Sequence, residues 1–486
     1  MPDNAARLLK LAEAEFPDLT EPEREVVRCA AVGENASLAQ WGPQPAEGKK
    51  RKPGGGPLRS AVVEWLCTDA LAKKRVHRKG VRIEFATLDT QLDLERADVP
   101  LFFGLYCCWL PGLHAAGTRF GHTLSLNKCH IDGILDICSS HIGGQLQCNG
   151  TLVRGAGSTS INADMAEIGN NVYMSKGFRA FGEVCLLGAK IKGQLDCTGG
   201  RFLNRNGFAL SVENAEIGNN LFLEPKRLRG EICLGDAEVK GTLLIRSEST
   251  AEATLDLRGA KVGVLLDSRD SWPEAGRLKL DGFIYGDIYH ESPRSAKDRL
   301  DWLRRMPSGQ FLPQPFEQFA AWLQRTGHDS EAKEVRIAKE WSRFKSFRNP
   351  FKMFWWLLKF IFVGFGHKPY YAACWLIGLI VLGSFVYNKN LDLMTPSVSY
   401  NFNATEPTEG NAGLQASDYP DLNTLLYSTD VALPIVDLQQ ERYWMPNSSK
   451  PEGRFLWWFN WFEVLFGWFL ASMGIAGATG IIRKDK

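Results

Sequence analysis

Three carboxylates near the C-terminal end are the residues best placed to do chemistry. Glu463 is the only ionisable residue in an apolar run from Phe455 to Ile482, and Asp430 and Asp437 precede that run. Because an intramembrane acid rarely faces lipid, Glu463 is expected to face the interior of a helix bundle. Acidic rings around a symmetry axis favour cations. The three residues are therefore the candidate pore-lining or gating residues. A second interpretation of Glu463 needs no pore: a hydrogen bond to the adjoining loop.

The cysteines show no arrangement typical of a metal or redox centre. No Cys-x-x-Cys pair occurs, and we find no His/Cys ligand set of the kind that holds zinc. The cysteines are Cys29, Cys67, Cys107, Cys108, Cys129, Cys138, Cys148, Cys185, Cys197, Cys233 and Cys374. Those between 129 and 233 fall mostly at apolar positions of a repeat, where a thiol acts as a small buried hydrophobic group. Adjacent Cys107 and Cys108 indicate a reducing compartment, and their role stays open. We predict no metal site and no cofactor.

Acidic side chains on a repetitive scaffold could also cleave sugars, since glycoside hydrolysis needs a pair of carboxylates. The acids of the repeat stand at equivalent polar positions, which is typical of solvated faces and not of one unique acid pair. They are Asp136, Glu183, Asp196, Glu231 and Asp256. No nucleotide-binding glycine motif follows a strand, and no haem attachment motif occurs. We therefore expect no enzyme activity and no catalytic residue. The net charge of +2 does not indicate nucleic acid as a partner.

The element that must position these residues is a repeat between Phe120 and Tyr285. In each unit an alanine stands two places before an isoleucine or valine, and a turn residue follows. The aliphatic anchors are Ile168, Ile191, Ile217, Val239 and Val262, which gives a period of 22 to 26 residues. After each anchor, apolar and polar residues alternate with the period of a strand that has one buried face. Strands this short cannot bury that face alone, but stacked in register they form a continuous core.

The repeat predicts a mainly β fold class, a parallel β-helix (solenoid) over residues 81–290. It should be right-handed, because parallel crossovers generally are. About eight or nine coils, each adding ~4.8 Å, would form a rod. The alternative is an antiparallel barrel of short strands. That fold would need regular hairpin signals such as Asn-Gly, which recur only sporadically here.

The composition predicts further elements on both sides of the solenoid. Residues 1–80 are expected to form a helical N-terminal cap, with a flexible linker near 41–57 that is rich in Pro, Gly and Lys. Residues 291–348 are expected to form a helical connector containing a hairpin, in which Gly327 follows the first helix and Asp329 caps the second. The remaining elements are an interfacial helix at 349–369, a transmembrane helix at 370–387, an extracytoplasmic loop at 388–454, a second transmembrane helix at 455–482 and a cytoplasmic tail at 483–486.

Charges beside the two apolar spans predict their orientation. The basic residues that flank the spans are Lys345, Arg348, Lys352, Lys359 and Lys368 before the first and Arg483, Lys484 and Lys486 after the second. The loop between the spans carries nine acids against four basic residues. The positive-inside rule therefore places both termini, and with them the solenoid, in the cytoplasm of a multi-pass protein. Membrane lipids are expected partners.

Three stretches carry a resemblance to a known group of proteins. They are Gly177 to Ala189 in the repeat, the helix from Arg59 to Leu66, and Glu317 to Ala320 with the later Gly327 to Asp329. The chain resembles, over nearly its whole length, a widespread group of bacterial β-solenoid membrane proteins related to pentapeptide-repeat proteins. This resemblance implies the bacterial inner (plasma) membrane. Some members are labelled membrane-associated oxidoreductases, a label that the motifs of this chain do not support.

The C-terminal part is similar to the pore domain of two-span bacterial potassium channels. The matching stretches are Gly364 to Pro369 before the outer helix, Leu425 to Ser428 at the start of a pore helix, and Phe462 to Gly467 at the start of the inner helix. Where the family has a Thr-x-Gly-Tyr-Gly filter, this chain has Leu433-Pro434-Ile435-Val436-Asp437. Carbonyl rings that replace the hydration shell of K⁺ need those glycines. The resemblance therefore implies a degenerate pore domain.

Two functions are compatible with these observations. In the first, the protein is a channel-like or effector membrane protein, assembled as a homo-oligomer, whose cytoplasmic solenoid senses or binds a ligand or protein. In the second, the two spans are only an anchor, and the solenoid is a non-conducting scaffold for protein binding. The sequence leaves both open.

Overall fold

The computed structural model describes residues 2–42, 54–155, 157, 159–309, 311–345, 349–364, 370–397, 420–433 and 435–479. The contacts divide the chain into two compact units, Met1–Arg336 and Ile337–Lys486. The predicted Gly364–Pro369 turn beyond residue 364, most of the long loop and the tail lie outside the described residues.

Helices flank the β-structure at both ends of the sequence. The α-helices are α1 Pro2–Glu15, α2 Glu21–Val32, α3 Ser60–Thr68, α4 Ala70–Lys73, α5 Glu248–Ala251, α6 Ala296–Leu303, α7 Gln314–Arg325, α8 Asp329–Lys345, α9 Pro350–Val363, α10 Tyr370–Lys389, α11 Thr424–Ala432, α12 Gln440–Tyr443 and α13 Pro451–Ala478. Short 3-10 turns occur at Ala39–Trp41, Arg269–Ser271 and Leu391–Leu393.

The strands of the first unit form two parallel sheets. The first sheet contains Ala36–Ser37, Val81–Glu84, Asp98–Val99, Phe103–Tyr106, Arg119–Phe120, Leu124–Ser125, His141–Ile142, Leu146–Gln147, Glu167–Ile168, Val172–Tyr173, Lys190–Ile191, Leu195–Asp196, Glu216–Ile217, Leu221–Leu223, Glu238–Ile245, Lys261–Asp267 and Ile284–Ile288. The second contains Gly56–Leu58, Ala86–Leu88, Leu92–Asp93, Trp109–Leu110, Leu113–His114, His130–Ile131, Leu135–Asp136, Leu152–Val153, Thr159–Asn162, Arg179–Phe181, Glu183–Cys185, Arg201–Ser211, Arg227–Cys233, Thr254–Asp256 and Leu278–Lys279.

This arrangement confirms the predicted parallel β-solenoid, with about nine turns in the described residues. The anchors stack on their equivalents in the next coil, as Ile168 does on Ile191 and Ile191 on Ile217. These side chains are buried in one continuous core. Each coil therefore covers the apolar face that its neighbour cannot bury alone. The parallel register excludes the antiparallel barrel.

The alanine of the repeat lies at a corner of the coil. Ala189 N–H donates to Leu186 O (3.0 Å) across a tight turn, and Gly188 in that turn has φ +62°. Met165 and Asn214 hold the equivalent left-handed position before Ala166 and Ala215. The corner alanines are fully buried, so the repeat selects a side chain small enough to stack in a column.

The cysteines of the solenoid are mostly core residues, as predicted. Cys129, Cys148, Cys197 and Cys233 are buried, whereas Cys138 and Cys185 are half-buried. The Cys129 S–H lies 3.3 Å from Leu105 O, so it can donate to a carbonyl of the preceding coil. The structure therefore uses these thiols as small packing groups.

The N-terminal cap begins the solenoid earlier than the sequence suggested. Gly56–Leu58, which begins inside the linker expected near 41–57, pairs with Ala86–Leu88, and Ala36–Ser37 pairs with Ile83–Glu84. The physical reason is edge pairing, since a strand at the first coil covers hydrogen-bonding groups that would otherwise be open. The helix α3 ends at Thr68, and Leu71, which lies in the short helix α4 that follows, is exposed.

The last coil is covered by α7, the first helix of the predicted hairpin. The Gln314 side-chain amide donates to Phe283 O (2.9 Å), and that of Gln318 donates to Tyr285 O (2.9 Å). These bonds satisfy carbonyl groups at the edge strand Ile284–Ile288. Left open, such an edge could pair with a strand of another chain and cause aggregation. Gly327 has φ +84°, which confirms its position after α7.

A buried ion pair also fixes α6 beside the last coils. Arg299 Nη1 and Nη2 donate to Asp267 Oδ2 and Oδ1, both at 2.7 Å. The Trp272 indole N–H also donates to Asp267 (2.8 Å). The Arg299 guanidinium lies over the Trp272 and Trp302 rings, at 5.7 and 5.0 Å from their centroids.

The second unit is helical, apart from an antiparallel pair formed by Met394–Pro396 and Trp444–Pro446. The helices α10 and α13 are long and apolar enough to cross a membrane. Phe362 of α9 packs its ring against Phe466 and Phe469 of α13. The short helix α11 contacts both α10 and α13.

Candidate functional site

The polar cluster around Glu463 is the candidate site of the second unit. Glu463 lies on α13 and is 0 % exposed. The Tyr387 hydroxyl of α10 donates to Glu463 Oε2 (2.8 Å), and the Ser428 hydroxyl of α11 is hydrogen-bonded to Glu463 Oε1. The carboxyl group therefore joins three helices of one chain.

Asn460 extends this cluster by one turn of α13. Its side-chain oxygen lies 3.1 Å from the Tyr387 hydroxyl and 3.1 Å from the Tyr427 hydroxyl. The two tyrosine rings meet edge to face, with their centroids 4.8 Å apart. The buried polar groups thus have partners among themselves, as buried polar groups require.

Two glycines make this close packing possible. A Cβ atom on Gly383 of α10 would lie 2.2 Å from Glu463 Oε1 and 2.3 Å from Ser428 Oγ. A Cβ atom on Gly467 of α13 would lie 2.1 Å from Ala432 O at the end of α11. Small residues at such positions let helix backbones approach closely. The sequence therefore builds a slot for α11 between the two long helices.

The hydroxyl of Ser428 has two acceptors but one proton. Ser428 Oγ also lies 2.9 Å from Ile380 O of α10. A hydroxyl group donates one hydrogen bond. Both contacts are satisfied together when the Glu463 carboxyl group carries a proton and donates to Ser428, which then donates to Ile380. The arrangement can therefore couple one proton on Glu463 to the contact between α11 and α10.

Asp430 and Asp437 have structural partners of their own. Asp430 is nearly buried and accepts hydrogen bonds from the backbone N–H groups of Leu438 (2.7 Å) and Glu441 (2.9 Å). Asp437 accepts a hydrogen bond from the Arg442 guanidinium (2.8 Å). Burial, together with the charges of Asp430 and Asp437, raises the pKa of Glu441. These contacts fold the segment after α11 back onto the helix.

The structure thus gives each of the three predicted carboxylates an intramolecular contact but does not bring them into one cluster. Glu463 contacts α10 and α11, whereas Asp430 and Asp437 contact the segment after α11. Sequence reasoning left open a loop hydrogen bond for Glu463, but it did not identify Tyr387 or Asn460. A signal was present, since both are polar residues within apolar spans, where polar side chains seek partners.

The acids of the solenoid show one departure from the expected solvated faces. Asp256 is buried, and it accepts hydrogen bonds from Arg258 (2.6 Å) and Lys279 (3.1 Å). Burial by itself raises the pKa of Asp256, but these hydrogen bonds outweigh it, and the pKa is lowered. The group is therefore a paired structural carboxylate.

Within the described ranges, no group of three or more His, Cys, Asp or Glu side chains could hold a metal ion. Comparison of the chain with protein-family models, curated proteins and solved structures finds no match. The resemblances noted from the sequence therefore stay predictions.

Proposed function

We propose that the protein is a membrane-anchored β-solenoid scaffold, in which the second unit holds the chain in the bilayer and the solenoid surface binds a partner protein. The main support is the bonding of Glu463. Its carboxyl group is enclosed by Tyr387 and Ser428 of the same chain. A carboxyl group enclosed in this way stabilises the packing of the membrane helices. It does not face a symmetry axis between copies of the chain, where a pore would lie.

The apolar surface of the second unit supports lipid contact. In the most apolar 18-residue stretch of each helix, 22 % is buried within the chain for α10 and 28 % for α13. A core helix of a soluble protein would be mostly buried. Exposed side chains on these helices include Trp375, Val381 and Phe385 of α10 and Trp458 and Leu465 of α13. Lipid tails would cover such a surface at no cost in unsatisfied polar groups.

The flanking charges favour an orientation with both termini, and so the solenoid, in the cytoplasm. The resemblance noted from the sequence implies that this membrane is the bacterial inner membrane. Under this proposal the buried thiols of the first unit are in a reducing compartment.

A channel-like function is the second candidate, and one observation favours it. The helix α11 ends beside the two long helices, and it is followed by Ile435, which is 81 % exposed, and by exposed Val436. Copies assembled around an axis could cover this apolar segment and place Asp437, whose side chain is exposed, in a ring.

Two measurements on the full chain test the proposal. Membranes from an expression host are washed with alkaline carbonate, and the protein should stay in the pellet; release into the supernatant would contradict the anchor. The purified chain is then reconstituted into liposomes loaded with a cation-sensitive dye. We expect the same dye response as in empty liposomes. A cation flux that Asp437→Asn changes without loss of folded protein would support the channel instead.

A further inference from the structure

One face of the solenoid carries a column of three arginines. Arg179, Arg201 and Arg227 occupy equivalent positions in three consecutive coils. Neighbouring strands are ~4.8 Å apart, so the Cα atoms of the three arginines lie within about 10 Å along the solenoid. In the part of the chain that the structure describes, none of these three side chains has an ion pair or a hydrogen bond. Like charges directly opposite each other across strands are destabilising.

In the first sheet the corresponding column mixes positive and negative side chains, with one like-charge pair where Glu216 stands opposite Glu238. Lys190 lies between Glu167 and Glu216 in the equivalent register of the first sheet. In the coil before Arg179, Arg154 Nη1 lies 3.6 Å from Asp132 Oδ1, and the same oxygen lies 2.8 Å from His130 Nε2. Three arginines in succession depart from this mixed pattern, and their mutual repulsion is expected to lower the stability of the free protein.

Apolar side chains stand beside the arginines. Phe181 pairs with Leu203 in the next coil, and Leu203 pairs with Arg229 in the coil after it. Phe181 is 45 % exposed, and Phe208 of the neighbouring longer strand is also exposed. The surface thus offers positive charge and apolar area together, which is typical of protein–protein interfaces enriched in arginine and aromatic residues.

We propose that this arginine face, defined as Arg179, Arg201 and Arg227 with Phe181 and Leu203, binds a short acidic segment of a partner protein. Asp or Glu side chains of the segment pair with the guanidinium groups, and its apolar side chains cover Phe181 and Leu203. The inference rests on the proposed scaffold function and names the chemistry of the partner.

The surroundings of the face favour a short protein segment over a nucleic acid. Glu183 begins the strand that follows Arg179–Phe181, and Glu231 lies in the same strand as Arg227, so carboxylates border the positive strip. A nucleic acid needs a longer track of phosphate contacts to bind well, and the chain as a whole has a net charge of only +2. A short segment needs only the three arginines as charged contacts, so the bordering acids repel it less than they repel a long polyanion.

Binding to the full chain in a non-ionic detergent tests the proposal. The probe is a fluorescein-labelled peptide of alternating Glu and Leu, followed by fluorescence anisotropy, with an alternating Gln and Leu peptide as the neutral comparison. The variant is Arg179→Gln/Arg201→Gln/Arg227→Gln. The matched control is Lys190→Gln/Lys240→Gln/Lys261→Gln, which removes the same charge from exposed lysines of the first sheet.

We expect the arginine variant to bind the acidic peptide about tenfold more weakly than the unchanged chain, and the lysine variant to bind it almost normally. Binding should weaken as salt is added. The arginine variant should unfold at the same temperature as the unchanged chain or higher, because repulsion is removed. A lower unfolding temperature would show that the arginines are structural and would overturn the proposal.

Other ligands are outcomes of the same test. Tighter binding of oligothymidylate, or of phosphatidylcholine vesicles containing phosphatidylglycerol, lost in the arginine variant, would overturn the assignment to a protein segment. Equal loss of peptide binding in the arginine variant and in the lysine variant would also overturn the proposal. Release of the protein by the carbonate wash would contradict the anchor alone, whereas failure of peptide binding would contradict the arginine face alone.

Discussion

The ion pair between Asp267 and Arg299 leads to the sharpest prediction about stability. Arg299 is fully buried and donates two hydrogen bonds of 2.7 Å to Asp267. In Arg299→Met, the Asp267 carboxylate keeps the Trp272 N–H but loses its only cation among the described residues. The change should therefore release α6 from the last coils.

The magnitude follows from the burial of both charges. Breaking a buried pair by removing one partner costs about 3–5 kcal/mol, because a charge is left uncompensated. A loss of about 3 kcal/mol corresponds to roughly 150-fold more frequent local opening. Replacing both groups, in Asp267→Leu/Arg299→Met, should recover much of this loss, since apolar replacement of a whole pair is often neutral.

Hydrogen exchange measured by mass spectrometry on the full chain in detergent reports this opening. Peptides covering α6 should exchange roughly 150-fold faster in Arg299→Met than in the unchanged chain, while peptides from the middle of the solenoid keep their rates. The matched control is Arg304→Met, which breaks an exposed pair with Asp301 and should change opening by about 0.5 kcal/mol or less. If Arg299→Met exchanges no faster than Arg304→Met, or if the double variant is less protected than the single one, the reasoning is refuted.

Three further predictions can be checked. Gly383→Ala should displace the Glu463 carboxyl group and lower the free energy of unfolding of the solubilised protein by about 1–3 kcal/mol. Gly378→Ala, on the same helix with open space around it, should not lower it, and an equal loss of stability in both variants would contradict the close packing of α11 at Gly383. Burial acts to raise the pKa of Glu23, but hydrogen bonds from Arg59 and Thr20 hold it at about 2. Since this pKa lies below the unfolded value of about 4.3, the stabilisation is present above that pH and lost as the pH falls toward 2. Hydrogen exchange of α2, corrected for intrinsic rates, should show this loss, and Glu23→Gln should abolish the pH dependence. Burial raises the pKa of Cys148 to about 12, so maleimide should modify it only after unfolding, as peptide mapping can show.

The spacing of apolar residues was sufficient to predict the solenoid. An aliphatic anchor at every coil, such as Ile191 and Ile217, can be buried only if equivalent residues stack. The corner alanines, including Ala189, carried the same information, because a column of small side chains marks a tight turn. The apolar runs at α10 and α13 were equally plain, since their length and lack of charge are local properties of the chain.

The first coil could not be placed in the same way. Gly56–Leu58 follows a stretch rich in glycine and lysine, and its strand structure comes from pairing with Ala86–Leu88. No local pattern encodes that pairing. Asp256 likewise stands at a position that the repeat makes polar, and only its contacts with Arg258 and Lys279 show that it is buried.

The sequence by itself determined the stacked β-fold, the apolar spans and the three candidate acids, because periodicity and composition are local properties of the chain. The tertiary structure decided what those acids do. Glu463 lies against Tyr387 and Ser428, which are 76 and 35 residues away. Hydrogen bonds over such separations depend on how helices pack, and helix packing here depends on the absence of a side chain at Gly383. The same holds for the arginine face, since residues separated by a whole coil become neighbours only when the coils stack in register.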